Sequence, residues 1–284
     1  MTINALVVGG TSGIGYAIAR HLPSLLSTPS ILIAGRTAPP DLASHPHLTF
    51  RPLEATSMRA IRTFTSSLLN ESPRPKLSYL VMTQGMMSTA PRTEVEGEGI
   101  DRKMALHFYG KQLLIRELMP LLEEKARVLV VYDGWLGSPE KLDWEDLDLT
   151  RGYGLGKAAD HCTSMMDGMV QWWAAQQGPH EGKRLFVHAF PGGVNTGLMR
   201  EVVPVLQGAV KGLGKLFLTT PETCAERLVK GTEKSAEEGR GWANLDSKGR
   251  VMGEKAIWTD EQMGKVASHT WGLIDKALEG QSGS

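Results

Sequence analysis

The chain has 284 residues, and its 31 lysines and arginines balance 31 aspartates and glutamates, so its formal net charge is zero. Nucleic-acid binders and polybasic membrane proteins need an excess of positive charge, and the balance argues against both classes. With 41% hydrophobic and 22% charged residues, the composition is typical of a globular protein and not of a disordered one.

The cysteines and the absence of long apolar runs indicate the compartment in which the protein is expected. Cys162 and Cys224 lack the number and spacing of a disulfide framework or a zinc site, so we expect a reducing compartment and no metal. No signal segment opens the chain, and no apolar run reaches the roughly 20 residues of a membrane span. We therefore expect a cytoplasmic protein without a membrane span, with a disordered Gly/Ser-rich tail at 279–284.

Short apolar runs alternate with amphipathic segments, a pattern typical of parallel strands joined by crossover helices. The predicted strands are 3–8, 30–34, 48–51, 77–82, 127–131, 184–189 and 242–245. Their near-continuous hydrophobicity fits a sheet that is covered on both faces. Because no interdomain linker interrupts the pattern, we predict one α/β domain over 1–278, a doubly wound parallel sheet of about seven strands with helices on both faces.

A glycine-rich loop follows the first predicted strand and leads into the first predicted helix. Its residues are Gly9, Gly10, Thr11, Ser12, Gly13, Ile14 and Gly15. Glycines at such a loop let backbone amides and a helix N-terminus approach a pyrophosphate closely. The order strand, loop, helix predicts a Rossmann-type dinucleotide site, and a tight turn without a ligand is the alternative.

The choice of dinucleotide depends on the end of the second strand. An acidic residue there accepts from the adenosine ribose, whereas a basic one meets a 2′-phosphate. The sequence offers Arg36 directly after Gly35 and no carboxylate nearby, which favours NADP(H) over NAD. The alternative is that Arg36 only faces solvent.

Tyr153 and Lys157 are four residues apart, a spacing that places them on the same face of a helix. A phenol with a pKa of about 10 is a poor acid–base catalyst near neutrality, and a nearby cation lowers that pKa. The pair therefore indicates a proton donor to a developing alkoxide, with an ordinary exposed helix face as the alternative.

Together, the glycine loop, Tyr153 with Lys157, and the stretch 191–196 after a late strand resemble the short-chain dehydrogenase/reductase family over about residues 3–200. The gap before Tyr153 and the segment 242–258 are similar to its retinol-dehydrogenase-like branch. The resemblance implies that Tyr153 is the general acid or base and that Lys157 holds the nicotinamide ribose and lowers the tyrosine pKa.

The resemblance also implies further cofactor contacts. The stretch 191–196 would shape the nicotinamide end of the site, and Glu54 would lie beside the adenine, although it also fits a surface carboxylate. The residues assigned to the cofactor in this way are Glu54, Gly85, Pro191, Gly192, Val194 and Thr196.

The sequence departs from the family pattern at the end of the fifth strand. Asp133 stands where the family usually has a serine that polarises the substrate carbonyl. A neutral carboxylic acid can donate to a developing alkoxide, whereas a carboxylate would repel it. Either Asp133 is a neutral donor, or Ser138 or Tyr132 replaces it, or Asp133 is only a turn residue.

A second departure is His107, which stands where the family commonly has an asparagine. One ring nitrogen can hold a water while the other binds backbone, which allows a proton relay to Lys157. A buried core histidine is the alternative. After the fourth strand, Thr83-Gln84-Gly85 replaces an asparagine-rich turn, and Gly85 still allows close approach of the backbone.

Two apolar segments bear on the substrate and on assembly. The predicted substrate lid around 195–220 is rich in Leu, Val and Met, and with Met86 and Met87 it suggests a pocket for a bulky, largely apolar carbonyl or alcohol. Packing in the core is the alternative. The segment 165–173 is apolar over more than one face, which fits a homo-oligomer or burial within the monomer.

The pattern as a whole favours an NADP(H)-dependent oxidoreductase, a ketone or aldehyde reductase or an alcohol dehydrogenase, acting on a small molecule. The missing serine and asparagine keep two alternatives open. One is a redox-neutral isomerase or cyclase on the same scaffold, and the other is a catalytically silent dinucleotide-binding sensor.

Overall fold

The computed structural model describes residues 2–178, 183–196, 218–253 and 255–279. Within them, seven strands form one sheet in the order β3-β2-β1-β4-β5-β6-β7, and all neighbouring pairs are parallel. The strands are β1 (Ala5–Val8), β2 (Ile31–Gly35), β3 (Leu48–Pro52), β4 (Leu77–Met82), β5 (Leu122–Val131), β6 (Leu185–Ala189) and β7 (Trp242–Leu245). The strand order reverses between β1 and β4, and ligands of such sheets bind at that switch point.

Helices connect the strands. They are α1 (Gly13–His21), α2 (Met58–Leu69), α3 (Arg102–Met104), a π-helical segment (Ala105–Tyr109), α4 (Gly110–Leu118), α5 (Leu155–Ala175), α6 (Pro221–Glu237) and α7 (Asp260–Glu279). None of the described helices is long and apolar enough to cross a membrane. Pro23 lies in a 3₁₀ turn directly after α1, where its ring no longer interrupts the α-helical hydrogen bonds.

The two faces of the sheet are covered by different helices. Along β5, Val128 and Val130 pack into the core formed with α2, α4, α5 and α7. Their neighbours Leu129 and Val131 point to the other face, which α1 and α6 cover. The predicted doubly wound α/β fold with about seven parallel strands is therefore confirmed.

β5 is longer than the sequence predicted. It begins at Leu122 instead of residue 127, and Glu123, Glu124 and Lys125 in its first half are exposed. A prediction that follows hydrophobic runs misses a polar strand segment of this kind.

The apolar surface of α5 is used inside this chain. Met165, Met166 and Met169 are fully buried, and the ring of Trp173 stacks on Phe186 with centroids 6.0 Å apart. Burial within the monomer therefore accounts for the pattern that also suggested a homo-oligomer. Most of the predicted lid, 197–217, and the tail beyond residue 279 lie outside the described residues.

Candidate active site

The glycine loop packs against the end of β4 so closely that side chains would not fit. A Cβ atom at Gly9 would lie 2.5 Å from the amide nitrogen of Gln84, and one at Gly15 would lie 2.3 Å from the carbonyl oxygen of Gly9. Gly9 also has a φ of +78°, in the left-handed region that favours glycine. Contact of backbone with backbone at the switch point therefore explains both glycines.

The N-terminus of α1 is open. The helix begins at Gly13, and the N-cap residue Ser12 makes no side-chain capping hydrogen bond. Thr196 lies beside this end, since a Cβ atom at Gly13 would be 3.2 Å from the Thr196 Cγ2. Because uncapped amides at a helix N-terminus attract anions, this end of α1 suits a phosphate.

Two further groups near the loop have no protein partner among the described residues. Arg36, directly after β2, is exposed and forms no ion pair there. Gln84 is buried, and both polar atoms of its amide lack a hydrogen-bond partner. Buried amides normally have partners, so Gln84 fits a site for a polar ligand.

Glu54 and Gly85 have local structural environments. The Glu54 carboxylate accepts hydrogen bonds from the Thr56 amide at 3.2 Å and from its hydroxyl at 2.8 Å, in the turn before α2. A Cβ atom at Gly85 would be 3.5 Å from the His107 ring, so an added methyl group would fit there. Gly85 is therefore not required by packing.

The stretch after β6 is tied to residues beyond the undescribed segment. Val194 forms a parallel bridge with Thr219. The thiol of Cys224 donates to the Pro191 carbonyl at 3.7 Å. Gly192 has a φ of +71°, which explains glycine at this position. The stretch thus holds Thr196 near α1.

Tyr153 does not lie on a helix with Lys157. Gly154 is the N-cap of α5 and is extended, so the helix begins one residue after it at Leu155. Lys157 is exposed, and its Nζ lies 3.4 Å from the Cβ position of Gly152. The prediction of one shared helix face is wrong for this reason, while the catalytic roles of both residues stay predictions.

The phenol of Tyr153 instead faces Lys103. Its hydroxyl oxygen is buried and has no hydrogen-bond partner among the described residues. The Lys103 Nζ lies 5.3 Å from the centroid of the ring, and the lysine is itself buried. Burial raises the pKa of Tyr153, and the nearby ammonium of Lys103 acts in the opposite direction.

The loop before Tyr153 is organised by Asp146, a residue that the sequence analysis did not single out. The Asp146 carboxylate accepts from the backbone amides of Thr150 at 2.9 Å, Arg151 at 3.0 Å and Gly152 at 2.8 Å. Burial opposes the charge, yet these hydrogen bonds hold the pKa of Asp146 below its usual value. Asp146 is one of several acidic residues in this segment, and the sequence alone does not show which of them accepts the backbone amides.

Asp133 and the two alternative donors, Ser138 and Tyr132, have different surroundings. The half-buried Asp133 accepts a hydrogen bond from the Trp135 amide at 3.2 Å, as a turn residue does. Ser138 is held through its amide by the Ser164 hydroxyl at 3.1 Å. Tyr132 points into the core toward His107. Asp133 is therefore partly exposed and acts as a turn residue, while the structure places the Tyr132 hydroxyl next to His107.

His107 uses both ring nitrogens on protein groups. Its Nε2 accepts from the Met86 amide at 2.9 Å, and its Nδ1 lies 3.2 Å from the Tyr132 hydroxyl oxygen. Since Nε2 accepts, the proton of the neutral ring is on Nδ1 and is donated to Tyr132. Burial lowers the pKa of His107 to about 3, so the ring stays neutral. These contacts match a satisfied core histidine, and the water relay to Lys157 stays a prediction.

A buried lysine lies next to this pair. Lys111 on α4 is fully buried, its Nζ donates to the Val131 carbonyl at 3.3 Å, and it lies 5.1 Å from the Tyr132 ring centroid. Burial lowers its pKa to about 7. The sequence shows only one lysine in a helix and does not reveal its burial.

A buried polar cluster joins α5, β6, β7 and the segment after β7. His188 Nδ1 lies 2.6 Å from Asp167 Oδ1, Asn244 donates to the same oxygen, and Lys255 Nζ lies 2.6 Å from Asp167 Oδ2. Lys255 also donates to the Gly137 carbonyl at 2.7 Å. The cluster therefore anchors the loop that follows Asp133.

Apolar side chains are exposed around the same loop. Trp135, Leu136 and Leu155 are 55%, 50% and 40% exposed, and Trp135 contacts Phe190 with ring centroids 6.1 Å apart. Trp135 and Leu136 belong to the loop after Asp133 and Leu155 to the first turn of α5, and we call the exposed side chains of these three residues the apolar rim. Among the described residues, no group of His, Cys, Asp and Glu is arranged to hold a metal ion.

Oxidoreductases are among the known proteins with similar sequences. No family model matches the chain. It is 33% identical over 213 residues to "Oxidoreductase AN1596" of Emericella nidulans, covering 71% of this chain and 61% of that protein. It is 30% identical over 214 residues to the "NmrA-like family domain-containing oxidoreductase notO" of Aspergillus sp. (strain MF297-2), covering 69% and 62%. The chain thus spans about three fifths of the length of these two relatives.

A third relative is covered more fully, and solved structures share the fold. The "Polyprenol dehydrogenase" of Danio rerio is 27% identical over 274 residues, covering 91% of this chain and 82% of that protein. The NADPH-bound carbonyl reductase from chicken fatty liver has a TM-score of 0.60 at 19% identity, covering 89% and 99% of the two chains. BdcA in complex with NADPH has a TM-score of 0.59 at 19% identity, covering 90% and 98%. The chain therefore has the fold of the short-chain dehydrogenases/reductases, and its curated relatives are oxidoreductases, as the resemblance in its sequence implied.

Proposed function

We propose that the chain is an NADP(H)-dependent oxidoreductase that transfers a hydride between the nicotinamide and the carbonyl or alcohol carbon of a bulky, largely apolar small molecule. One observation carries the proposal. The carboxyl edge of the sheet combines a glycine loop at the switch point with Tyr153, whose buried hydroxyl has no partner among the described residues.

The residues at the switch point fit a dinucleotide. Gly9 and Gly15 let the loop pack closely on its own backbone and on the end of β4, and the open N-terminus of α1 would bind the pyrophosphate. Arg36, exposed and without an ion pair in the described part of the chain, would bind a 2′-phosphate. When bound, NADPH would supply the hydride. Solved neighbours that carry NADP or NADPH support this choice.

Proton transfer is assigned to Tyr153. In reduction its phenol donates a proton to the substrate oxygen, and in oxidation the phenolate accepts that proton. Lys157, exposed in the first turn of α5, is the candidate ligand of the nicotinamide ribose. Asp133, as a neutral carboxylic acid, is the candidate donor to the substrate oxygen, because its half-buried carboxyl follows β5.

The apolar rim supports a bulky apolar substrate. Trp135, Leu136 and Leu155 expose large side chains near the loop that carries Asp133. Exposed apolar groups of this size commonly mark a binding surface. Relatives named polyprenol dehydrogenase, from Danio rerio and Mus musculus, favour a long isoprenoid alcohol or the matching carbonyl compound.

The test is a coupled measurement of binding and turnover. NADPH and NADH are titrated against the purified chain, and NADPH absorbance is followed with a panel of polyprenals and bulky ketones, with citronellal as a short matched member. Consumption of NADPH with one alcohol formed per NADPH supports the proposal. Product without NADPH consumption indicates an isomerase or cyclase instead, and tight NADPH binding without conversion of any panel member indicates a sensor.

A further inference from the structure

Of the two lysines that bear on Tyr153, Lys103 and not Lys157 faces the phenol. The Lys103 Nζ lies 5.3 Å from the centroid of the Tyr153 ring. Lys157 is exposed, and its ammonium lies close to Gly152. The cation expected beside this tyrosine is therefore supplied by a different element, α3.

The ammonium of Lys103 is held in place from two sides. It donates to the Pro91 carbonyl at 3.0 Å and lies 3.4 Å from Asp101 Oδ2. Asp101 is itself fixed, because it accepts from the backbone amides of Thr93, Lys103 and Met104. The lysine side chain is 9% exposed. A cation fixed in this way does not need to reorganise when charge develops next to it.

Three titratable groups act on the phenol from the elements packed around it. Burial is the largest effect and raises the pKa of Tyr153, the Lys103 ammonium lowers it, and the negative charge of Asp101, the N-cap residue of α3, raises it. A thiolate at Cys162 on α5 would raise it as well. Cys162 is buried, and burial keeps its thiol neutral by raising its own pKa. Of these three groups, Lys103 is therefore the one that favours the phenolate of Tyr153.

We propose that Lys103 is a positioning residue that prepares Tyr153 for proton transfer by holding a buried cation against its phenol ring. The inference rests on the proposed function. In reduction, the phenol O–H bond breaks and its proton moves to the substrate oxygen, while the carbonyl carbon takes up the hydride that bound NADPH would supply on its conversion to NADP⁺. The phenolate that remains carries one negative charge, which the Lys103 ammonium stabilises. In oxidation the same proton returns to the phenolate.

A direct titration tests this without turnover. The ultraviolet absorbance of tyrosinate is followed against pH in the full chain and in its Tyr153→Phe variant, and the difference reports Tyr153. The same difference is measured in Lys103→Gln and Lys103→Met backgrounds. Gln keeps a donor for the Pro91 carbonyl and removes the charge, whereas Met removes both the charge and the donor. The two variants therefore test the loss of the charge with and without the hydrogen bond, and the titration is read in each variant that folds.

We expect the Tyr153 titration to move to higher pH in both uncharged variants and to return to its original position in Lys103→Arg. Lys141→Met is the control, since it also removes a paired lysine, from the loop between β5 and α5, but its pair with Asp160 is exposed and it contacts Asp160 and not Tyr153. An unchanged titration in the Lys103 variants, or an equal change in Lys141→Met, would overturn the inference.

Steady-state kinetics supply the second readout. Alcohol oxidation needs the phenolate, so its pH profile in Lys103→Gln is expected to move to higher pH, with kcat at neutral pH reduced about tenfold and KM unchanged. A raised KM with an unmoved pH profile would mean that Lys103 acts on substrate binding instead. If no alcohol is oxidised, the proposed function fails, whereas the absorbance titration still decides the role of Lys103.

Discussion

Asp167 on α5 and Lys255 in the segment after β7 form a buried ion pair, with Oδ2 and Nζ 2.6 Å apart. Lys255 also donates to the Gly137 carbonyl, so the pair connects the segment after β7 to the loop between β5 and α5. A Cβ atom at Gly137 would lie 2.2 Å from the Asp167 carboxylate, which explains why the loop has glycine there. The pair thus sets the position of the loop that follows Asp133.

Replacing Lys255 by Met should destabilise the fold strongly. Asp167 would keep a buried charge without its cation, a loss that typically costs about 3–5 kcal/mol. The free energy of unfolding, measured by urea titration, checks this. Lys141→Met is the control, because its pair with Asp160 is 3.1 Å long but exposed, and such pairs contribute about 1 kcal/mol or less. Equal losses in the two variants would contradict the role of the buried pair.

Gly15→Ala should disturb the cofactor loop. The added methyl group would lie 2.3 Å from the Gly9 carbonyl oxygen, so the backbone must move, at a cost of about 1–3 kcal/mol in stability. We also expect weaker NADPH binding in calorimetry. Gly264→Ala in α7 is the control, since a Cβ atom there meets nothing within 4 Å and alanine should stabilise the helix by about 0.5–1 kcal/mol. A Gly15→Ala protein with unchanged stability would refute the close packing.

Lys111 predicts a pH dependence of stability. Burial lowers its pKa to about 7 from an ordinary value of 10.5, so between these pH values the unfolded chain holds a proton that the folded chain has released. The free energy of unfolding therefore rises with pH across this window. Lys111→Met should remove that rise and stabilise the protein near pH 7, because the unfolded chain then no longer holds a proton that folding must release. Denaturant titrations at several pH values check both effects. If the free energy of unfolding depends on pH in the same way in the variant and in the unmodified protein, Lys111 is charged in the folded state.

Tyr153→Phe should nearly abolish turnover while NADPH still binds. The substitution removes the proton donor but retains the ring that packs against the core. Turnover is measured by NADPH absorbance and binding by fluorescence titration. Lys157→Ala provides a comparison, because a ribose ligand should affect NADPH binding as well as kcat. Retained turnover in Tyr153→Phe would eliminate the assigned chemistry.

Asp133→Ser should preserve or raise ketone reduction if the reaction needs only a hydrogen-bond donor at this position. The Trp135 amide donates a hydrogen bond to Asp133 at 3.2 Å. A serine hydroxyl can accept the same hydrogen bond and can also donate one to the substrate oxygen. The ratio kcat/KM for one ketone is compared between the two proteins. An inactive but folded Ser variant would show that the carboxyl group itself is required.

The fold was largely predictable because its elements repeat a simple pattern. Buried parallel strands are apolar on both faces, so β1, β2 and β4 stand out as hydrophobic runs. The first half of β5 does not, because Glu123, Glu124 and Lys125 are exposed. The glycine loop was equally visible, since Gly9 and Gly15 are required by local backbone geometry.

The candidate site was less predictable because its contacts join distant parts of the chain. The spacing of Tyr153 and Lys157 suggests one helix face, but Gly154 starts the helix after the tyrosine. Lys103, which faces the Tyr153 ring, is 50 residues away, and nothing in its local sequence marks it as buried. The contacts of His107 with Met86 and Tyr132 likewise join residues that are distant in the chain, so the sequence did not predict them.

By itself, the sequence determined the order of strands and helices, the dinucleotide loop and the residue types available for proton transfer, because each depends on local backbone conformation and hydrophobic period. The tertiary structure decided which charge meets which partner: Lys103 against Tyr153, and Lys255 against Asp167. The physical reason is that electrostatic effects depend on distance in space and on burial, and a linear sequence specifies neither until the sheet and its helices have packed.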